Sequence, residues 1–282
     1  MKEVTLFADA TCDLPEELVE EYNVKLIPGT VILQGKEYID NVSITPNEMY
    51  RIYREKKVLP KSAATNTDTY LKLISPELDK GKEAVVINLS SGISASHQAA
   101  VAAAGQREGI YTVDSKSLST GVGHLVIEAG ELIKHGLPAK DVAEMTGKLV
   151  PKVRTSFVLD TLEFMRAGGR CSAIAAIGAN LLGLKPCIEM DPEGSLQATK
   201  KYRGSLEKVL PLYIKDQLLN NKNIRTDKIF ITYSSSIPDI FELVVSSIQK
   251  TVKFDKVYGS QASCVISTHC GPGTFGILFM VE

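Results

Sequence analysis

Four of the seven residues from Ser90 to Ser96 are serines, within the stretch INLSSGISASHQAA at positions 87–100. A β-like run ends at Leu89 and an alanine-rich helical stretch follows. Hydroxyls and free backbone N–H groups must therefore collect at one helix start, where an anion is stabilised. The chemistry this predicts is capture of a carboxylate or phosphate by Ser94 and neighbouring amides. An N-cap serine by itself accounts for one hydroxyl of this set, not four. The same residues approach a nucleophile elbow, since Gly92-Ile93-Ser94-Ala95-Ser96 follows G-x-S-x-G until serine replaces the last glycine. The alternative reading is thus a serine hydrolase or esterase using Ser94, with His269 as base and Asp239 or Asp255 as the acid.

A second group lies in EFMRAGGRCSAIAAIGANLLGL, Glu163 to Leu184, where Arg166 and Arg170 flank a glycine pair. The fourteen residues from Cys171 to Leu184 then carry no charged side chain. Fixed positive charge beside so apolar a segment suits either core packing or a ligand with an anionic head and a hydrocarbon tail. Ala173, Ala175, Ala176, Gly178 and Ala179 remove side-chain volume, while Ile174, Ile177, Leu181 and Leu182 keep the surface dry. Such a helix is fitted to line a tunnel, or to pack closely on another helix.

Three strand-like runs end in aspartate, at Asp9, Asp114 and Asp160. Ligands of open α/β sheets gather outside the carboxyl ends of strands, so these positions suggest a polar or metal site. The simpler reading is that each caps a helix or pins a turn. No metal ligand set and no cofactor is assigned. Gly271-Pro272-Gly273-Thr274-Phe275-Gly276 satisfies G-x-G-x-x-G, but a strand-like run follows it rather than the helix a pyrophosphate requires. Gly121-Val122-Gly123 lacks the third glycine, and no Walker A loop is present. Nucleotide binding is disfavoured.

The elements that must position these groups read as strands alternating with helices in the first half. VTLFADA precedes PEELVEEY, EAVVINL precedes SASHQAAVAAAGQRE, and IYTVDS precedes a helix near Gly121–His135. This alternation predicts a mostly parallel sheet with flanking helices. Thr45-Pro46-Asn47-Glu48 predicts a capped helix start. The second half offers TSFVLD, the glycine-arginine knot, the apolar helix, a hairpin through MDPEGSLQ, KIFITYSS with a following helix, and a closing FGILFMVE strand. A second α/β lobe is expected there, giving units 1–152 and 153–282.

With 282 residues the chain is long enough for two packed units. It has 32 basic and 33 acidic side chains and a net charge of -1, which is no footprint for nucleic acid. Five cysteines without a C-x-x-C pair suit a reducing compartment and are read as small buried fillers. His97, His124 and His135 are read as surface or satisfied residues. The opening MKEVTLFADA lacks the features of a signal peptide, so a cytoplasmic location is expected. The charge-free stretches Ala84–Gln106 and Val257–Val281 are interrupted by polar residues, so no transmembrane helix is expected.

FADATCDLP, INLSSGISASHQAA, YTVDS, TLEFMRAGGRCS and STHCGPGTFG occur in the order found in the DegV family. Over nearly its whole length the chain resembles these bacterial fatty-acid-binding proteins, a family similar to the fatty-acid-carrying subunit of fatty acid kinase. The resemblance implies a two-lobed DegV-like α/β fold with one long-chain, palmitate-like fatty acid buried between the lobes. It implies no catalysis, and a role in lipid transport or fatty acid metabolism in which the carboxyl group is presented to a separate kinase. Its head-group loops map onto Ser94 and onto LPKSAATNT, where Ser62 stands for the family threonine. His269 and Arg170 map onto the polar network around the head, and Arg166 onto its edge. The chain departs from the family pattern at Ala10, Ala63, Ala64, Ala95 and His97.

Physical terms accompany that resemblance. A buried carboxylate needs charge-assisted hydrogen bonds, here from serines, helix-start amides, Arg170 and a protonated His269. At ~0.8 kcal/mol per buried methylene, a fourteen-methylene tail gains on the order of ten kcal/mol before association costs.

Overall fold

Val4–Asp9 is buried at its last five positions, the pattern of a strand covered on both faces. This strand, β1, pairs in parallel with β2 (Lys25–Ile27) and with β6 (Glu83–Asn88), and β6 pairs in parallel with β7 (Ile110–Asp114). The resulting parallel sheet has the order β2-β1-β6-β7. Its helices are α1 (Glu16–Glu21), α3 (Thr67–Asp79), α4 (Ser96–Gln106), α5 (Thr120–Lys134) and α6 (Ala139–Leu149). One face packs Leu6, Val85 and Ile87 with Val122, Leu125 and Val142; the other packs Phe7, Ala84 and Val86 with Tyr70, Ile74 and Ala100. The alternation expected from the sequence is thus present, as a sheet with helices on both faces. The computed structural model describes residues 2–171, 183–235 and 237–282. The apolar stretch Ala173–Leu182, expected to line a tunnel, lies outside the described residues.

Residues between β2 and α3 form a unit that sequence patterning did not separate. Strands β3 (Thr30–Leu33), β4 (Lys36–Ile39) and β5 (Lys61–Ala63) make an antiparallel sheet of order β4-β3-β5. Helix α2 (Pro46–Lys56) joins β4 to β5 and starts with the expected capping box, Thr45 and Glu48 each bonding the other's backbone N–H.

The second half contains a mixed sheet of order β10-β9-β8-β13-β11-β12. Its strands are β8 (Val153–Val158), β9 (Leu184–Met190), β10 (Leu196–Arg203), β11 (Lys228–Tyr233), β12 (Lys256–Gln261) and β13 (Phe275–Met280). β9 and β10 form the expected hairpin, with Leu196 opposite Met190. Its turn is closed by Asp191, which accepts the N–H of Ser195 at 2.8 Å. β13 has all six residues buried and lies antiparallel between β8 and β11. Helices α7 (Glu163–Gly168), α8 (Leu206–Asn220), α9 (Pro238–Thr251) and α10 (Cys264–Cys270) complete the second half.

The units interlock. Phe164, Cys264 and Val265 share a core with Val31, Met49 and Tyr50, so α7 and α10 pack on the small sheet and α2. Asp40 accepts Cys264 N–H at 2.7 Å and Val265 N–H at 2.9 Å, and Asp13 accepts Ser263 N–H at 3.0 Å. Three N–H groups at the start of α10 are therefore satisfied by carboxylates more than two hundred residues earlier. All five cysteines are free and buried. Among the described residues no helix is long and apolar enough to cross a membrane.

Candidate functional site

Where the three units meet, residues from each line a single cavity with roughly 200 Å³ of space within reach of a water molecule's centre. The parallel sheet contributes the carboxyl-end residues of β1 (Asp9, Ala10, Thr11) and, after β6, Leu89 and Ile93–Ser96. Ser62 of β5 and its followers Ala63–Thr65 form another part of the wall, and Ile266, His269 and Cys270 of α10 a third. Phe157, Met165, Leu196 and Leu278 add apolar surface from the second half.

Ser62 and His269 are directly joined, with Oγ and Nε2 2.8 Å apart. The sequence reading put Ser62 in a loop; it instead sits on edge strand β5, opposite Val31 of β3. That backbone pairing holds the hydroxyl against α10. His269 is accommodated because position 168 is glycine: a Cβ there would lie 2.3 Å from Nδ1. Gly169 then ends α7 in the left-handed region at φ 66°. The glycine pair of the arginine motif thus makes room for an imidazole.

Burial, and secondarily the charge of Arg170, push the His269 imidazole down to about 4. Without an anion beside it the ring is neutral at physiological pH; the protonated His269 expected from the sequence concerns the ring with a carboxylate against it. Its Nδ1 is buried and has no hydrogen-bond partner among the described residues. Arg170 lines the cavity and is itself exposed, donating from Nη1 to the carbonyl of Gly168 at 2.6 Å. Arg166 is exposed on α7 and is not among the cavity-lining residues, because the short helix turns it away from the side that carries Met165 inward.

Of the serine cluster, only part faces the cavity. Ser94 Oγ lies 2.9 Å from Ser96 Oγ and accepts the N–H of Ser96 at 3.2 Å, so the two hydroxyls form a local pair at the start of α4. Ser90 turns away, donating to the carbonyl of Gly194 at 2.7 Å. Ser91 receives the ammonium of Lys116 at 2.7 Å. Gly92 is needed for close approach of the β9–β10 turn, since a Cβ would lie 2.4 Å from the carbonyl oxygen of Gly194. Two of the four serines therefore dock the hairpin and the neighbouring loop instead of meeting an anion.

The hydrolase arrangement is not what these contacts assemble. Ser94 is bonded to Ser96, while His269 is bonded to Ser62. Neither Asp239 nor Asp255 fills the acid's place, since His269 Nδ1 has no partner.

The three strand-end aspartates serve different ends. Asp9 is buried and accepts Tyr70 OH at 2.6 Å, Leu89 N–H at 2.9 Å and Asn88 Nδ2 at 3.2 Å; burial nevertheless raises it to about 6. Asp114 pins the serine loop by accepting Ser91 N–H at 3.0 Å and pairing with Lys116 at 2.8 Å. Asp160 is paired with Lys185. Among the described residues no group of three or more His, Cys, Asp or Glu is placed to hold a metal ion.

Most other hydroxyls in the wall are spent inside the protein. Ser119 donates to Asp13 at 2.6 Å, Ser234 to the Gly271 carbonyl at 2.6 Å, Thr274 to the Cys270 carbonyl at 2.9 Å, and Thr65 to the Pro28 carbonyl at 3.2 Å. A hydroxyl committed in this way presents mainly its carbon atoms to the cavity. Of the departures from the family pattern, Ala10, Ala63, Ala64 and Ala95 line the wall and His97 does not. His97 instead bonds Asn88 Oδ1 at 3.3 Å, and His135 bonds the Glu131 carbonyl at 2.7 Å. His124 is fully buried beneath Phe230, with only Nε2 satisfied, by the Leu278 carbonyl at 3.0 Å.

A parallel sheet and a mixed sheet thus meet around an apolar cavity with a polar rim in an α/β fold. A family model described as DegV matches residues 3–282, and the chain belongs to that family. A DegV domain-containing protein of Clostridium acetobutylicum is 28% identical, with 100% of both chains covered. The structure of a DegV family protein from Thermus thermophilus, described by its fatty acid binding, superposes with a TM-score of 0.87 at 26% identity, covering 99% of this chain and 100% of the other. A stearic acid-binding protein from Eubacterium ventriosum superposes with a TM-score of 0.86 at 23% identity, covering 100% and 98%.

Proposed function

We propose that this chain binds a long-chain fatty acid in the described cavity, between lobes 1–152 and 153–282. Ser62 and Ser94 donate to the carboxylate, Arg170 supplies the fixed positive charge, and His269 completes the rim. Arg166, outside the wall, contributes at most long-range attraction. The observation that carries this reading is the division of labour among hydroxyls: Ser119, Ser234 and Thr274 donate to carboxylate or carbonyl oxygens, whereas among the described residues Ser62 lies against a neutral imidazole and Ser94 against Ser96, with no such acceptor of their own. Such a wall is dry for a hydrocarbon and polar where an anion would sit. The fatty acid binding of the Thermus thermophilus protein supports the same ligand class.

Neutral His269 suits the role. An arriving carboxylate offsets part of the penalty of charging the ring, so the imidazole can gain a proton when the anion arrives. The protein then acts as a cytoplasmic carrier that presents the carboxylate to a separate kinase for acyl-phosphate formation, without turnover of its own. Native mass spectrometry of protein purified from cells, before and after denaturing extraction, tests the binding. One fatty acid per chain is expected; protein that carries none and takes up no added palmitate would refute it.

The Ser62–His269 contact is a structural feature that favours a hydrolase. Attack by Ser62 would, however, create an imidazolium whose Nδ1–H has no carboxylate to stabilise it. A fluorophosphonate is expected to label neither Ser62 nor Ser94, and labelling of either would restore the enzymatic reading.

A further inference from the structure

Aromatic side chains gather on the face of the mixed sheet turned away from the cavity. Side chains alternate along a strand, so Thr232 and Ser234 at the end of β11 reach the cavity wall while Tyr233 between them faces the other way. Along β13, Thr274 and Gly276 line the cavity and Phe275 does not, and Phe275 lies directly opposite Tyr233. Phe241 of α9 joins this pair. The Tyr233 ring stands at 76° to that of Phe241, with centroids 5.8 Å apart, and at 34° to that of Phe275, with centroids 6.1 Å apart. Gly259 on β12 leaves the space for Phe241, since a Cβ there would lie 2.7 Å from Cζ of the ring.

The rings do not fill the corner they form. With Ile237, Pro238 and Glu242 they line a cleft with about 220 Å³ of space within reach of a water molecule's centre. Tyr233 and Phe241 are only half-buried, and Ile237 is 36% exposed. Among the described residues Glu242 is the sole charged side chain of this lining, and it is exposed without an ion pair. The helix dipole favours Asp239 in the first turn of α9, but its effect falls off before Glu242 in the second. An unpaired carboxylate beside aromatic walls repels anions and offers a neutral apolar group no partner. A cation gains from both, because ring faces carry negative potential and nearly perpendicular rings turn two faces toward one point. A primary ammonium holds its water tightly, whereas a quaternary one wears its charge beneath methyl groups that match apolar walls.

We propose that this cleft binds the quaternary ammonium group of a small soluble ligand, with Tyr233 and Phe241 as its walls, Phe275 at its base and Glu242 as the counter-charge. The site lies across the mixed sheet from the first cavity, shares none of its lining residues and does not depend on the fatty-acid reading.

The test titrates the full chain with choline and with neohexanol, the neutral isostere in which carbon replaces the nitrogen, and follows broadening of the ligand methyl signal by proton NMR. Choline is expected to bind at least ~fivefold more tightly than neohexanol, the effect of a single cation–π contact. Phe241→Leu keeps the apolar bulk and removes a ring face, so it should weaken choline about fivefold and leave neohexanol nearly unchanged. Glu242→Gln should weaken choline about two- to threefold, an effect that added salt reduces. Glu242 is exposed, so this second variant keeps its fold and probes the cleft even where Phe241→Leu does not. Palmitate binding should be the same in both variants as in wild type. Equal binding of choline and neohexanol would overturn the inference and leave an apolar slot. Absence of choline binding to wild type, or choline binding that neither substitution alters, would overturn it as well.

Discussion

The two hydroxyl pairs at the rim of the cavity are built in opposite ways. Ser94 and Ser96 are two residues apart at the start of α4, and their geometry follows from one local turn. Ser62 and His269 are separated by 207 positions and meet only because β5 pairs with β3 and α10 packs against the same small sheet. The first pair is as stable as a helix end. The second depends on Asp13 and Asp40, which hold the start of α10 across the boundary between the units. A site assembled from one local and one long-range pair has a fixed half and a half that reports on the docking of the units.

Removing both halves together gives the largest effect. The double substitution Ser62→Ala with Ser94→Ala is expected to weaken palmitate binding about a hundredfold, two hydrogen bonds to a charged group, with the fold retained. Unchanged affinity in a direct titration would remove both residues from the site.

Asp40→Ala separates the halves. It leaves two buried N–H groups of α10 without acceptors and should lower unfolding free energy by about 2–3 kcal/mol, read from urea titrations. Palmitate binding should fall with it, whereas the Ser94 half is untouched. A variant as stable as wild type would show that α10 is held by packing alone.

The single substitutions sharpen the contrast further. Ser94→Ala removes one hydroxyl and leaves Ser96 beside it, so a loss of about fivefold is expected. Ser62→Ala also strips His269 Nε2 of its partner, leaving both ring nitrogens unpaired, and its loss should exceed that of Ser94→Ala. The reverse order in paired titrations would show that the local half dominates.

A pH dependence at the clamp tests the same boundary without touching the rim. Burial pushes the Asp13 carboxyl from 3.8 up to about 7. The folded state therefore binds this proton more tightly than the unfolded chain. Its contribution to stability is complete below the unfolded value and is lost as pH rises through the folded one. Wild-type stability measured against Asp13→Asn should decline between pH 3.8 and about 7. A flat difference would mean that the Ser119 hydroxyl and the Ser263 N–H stabilise the carboxylate as well as water would.

The same contrast explains what could be read from the sequence. Strand-helix alternation along β1, β6 and β7, the capping box at Thr45, the β9–β10 hairpin and the buried β13 all follow from local periodicity or turn chemistry. The local Ser94 cluster was legible for that reason, although nothing local told Ser90 and Ser91, which dock the hairpin and the Lys116 loop, from Ser94 and Ser96. Strands of three or four residues, such as β3, β4 and β5, are too short to show alternation, and the seven-residue α10 is too short for a helical period. Ser62 is reached only through family resemblance, and His269 apart from it only as the base of the hydrolase alternative. Asp13 and Asp40 carried no signal beyond acidity, because their roles exist only once distant segments meet. The neutral state of His269 likewise depends on burial and on Arg170, neither of which spacing reveals.

Strand β13 sets an order on the birth of the molecule. It fills the gap between β8 and β11, and its Gly276 and Leu278 floor the cavity, yet it emerges from the ribosome after both neighbours. The parallel sheet can close while synthesis continues, since all four of its strands lie before residue 115. The cavity cannot: until β13 slides into place between β8 and β11, a nascent chain has a rim without a floor, and an apolar ligand would find no shelter on it.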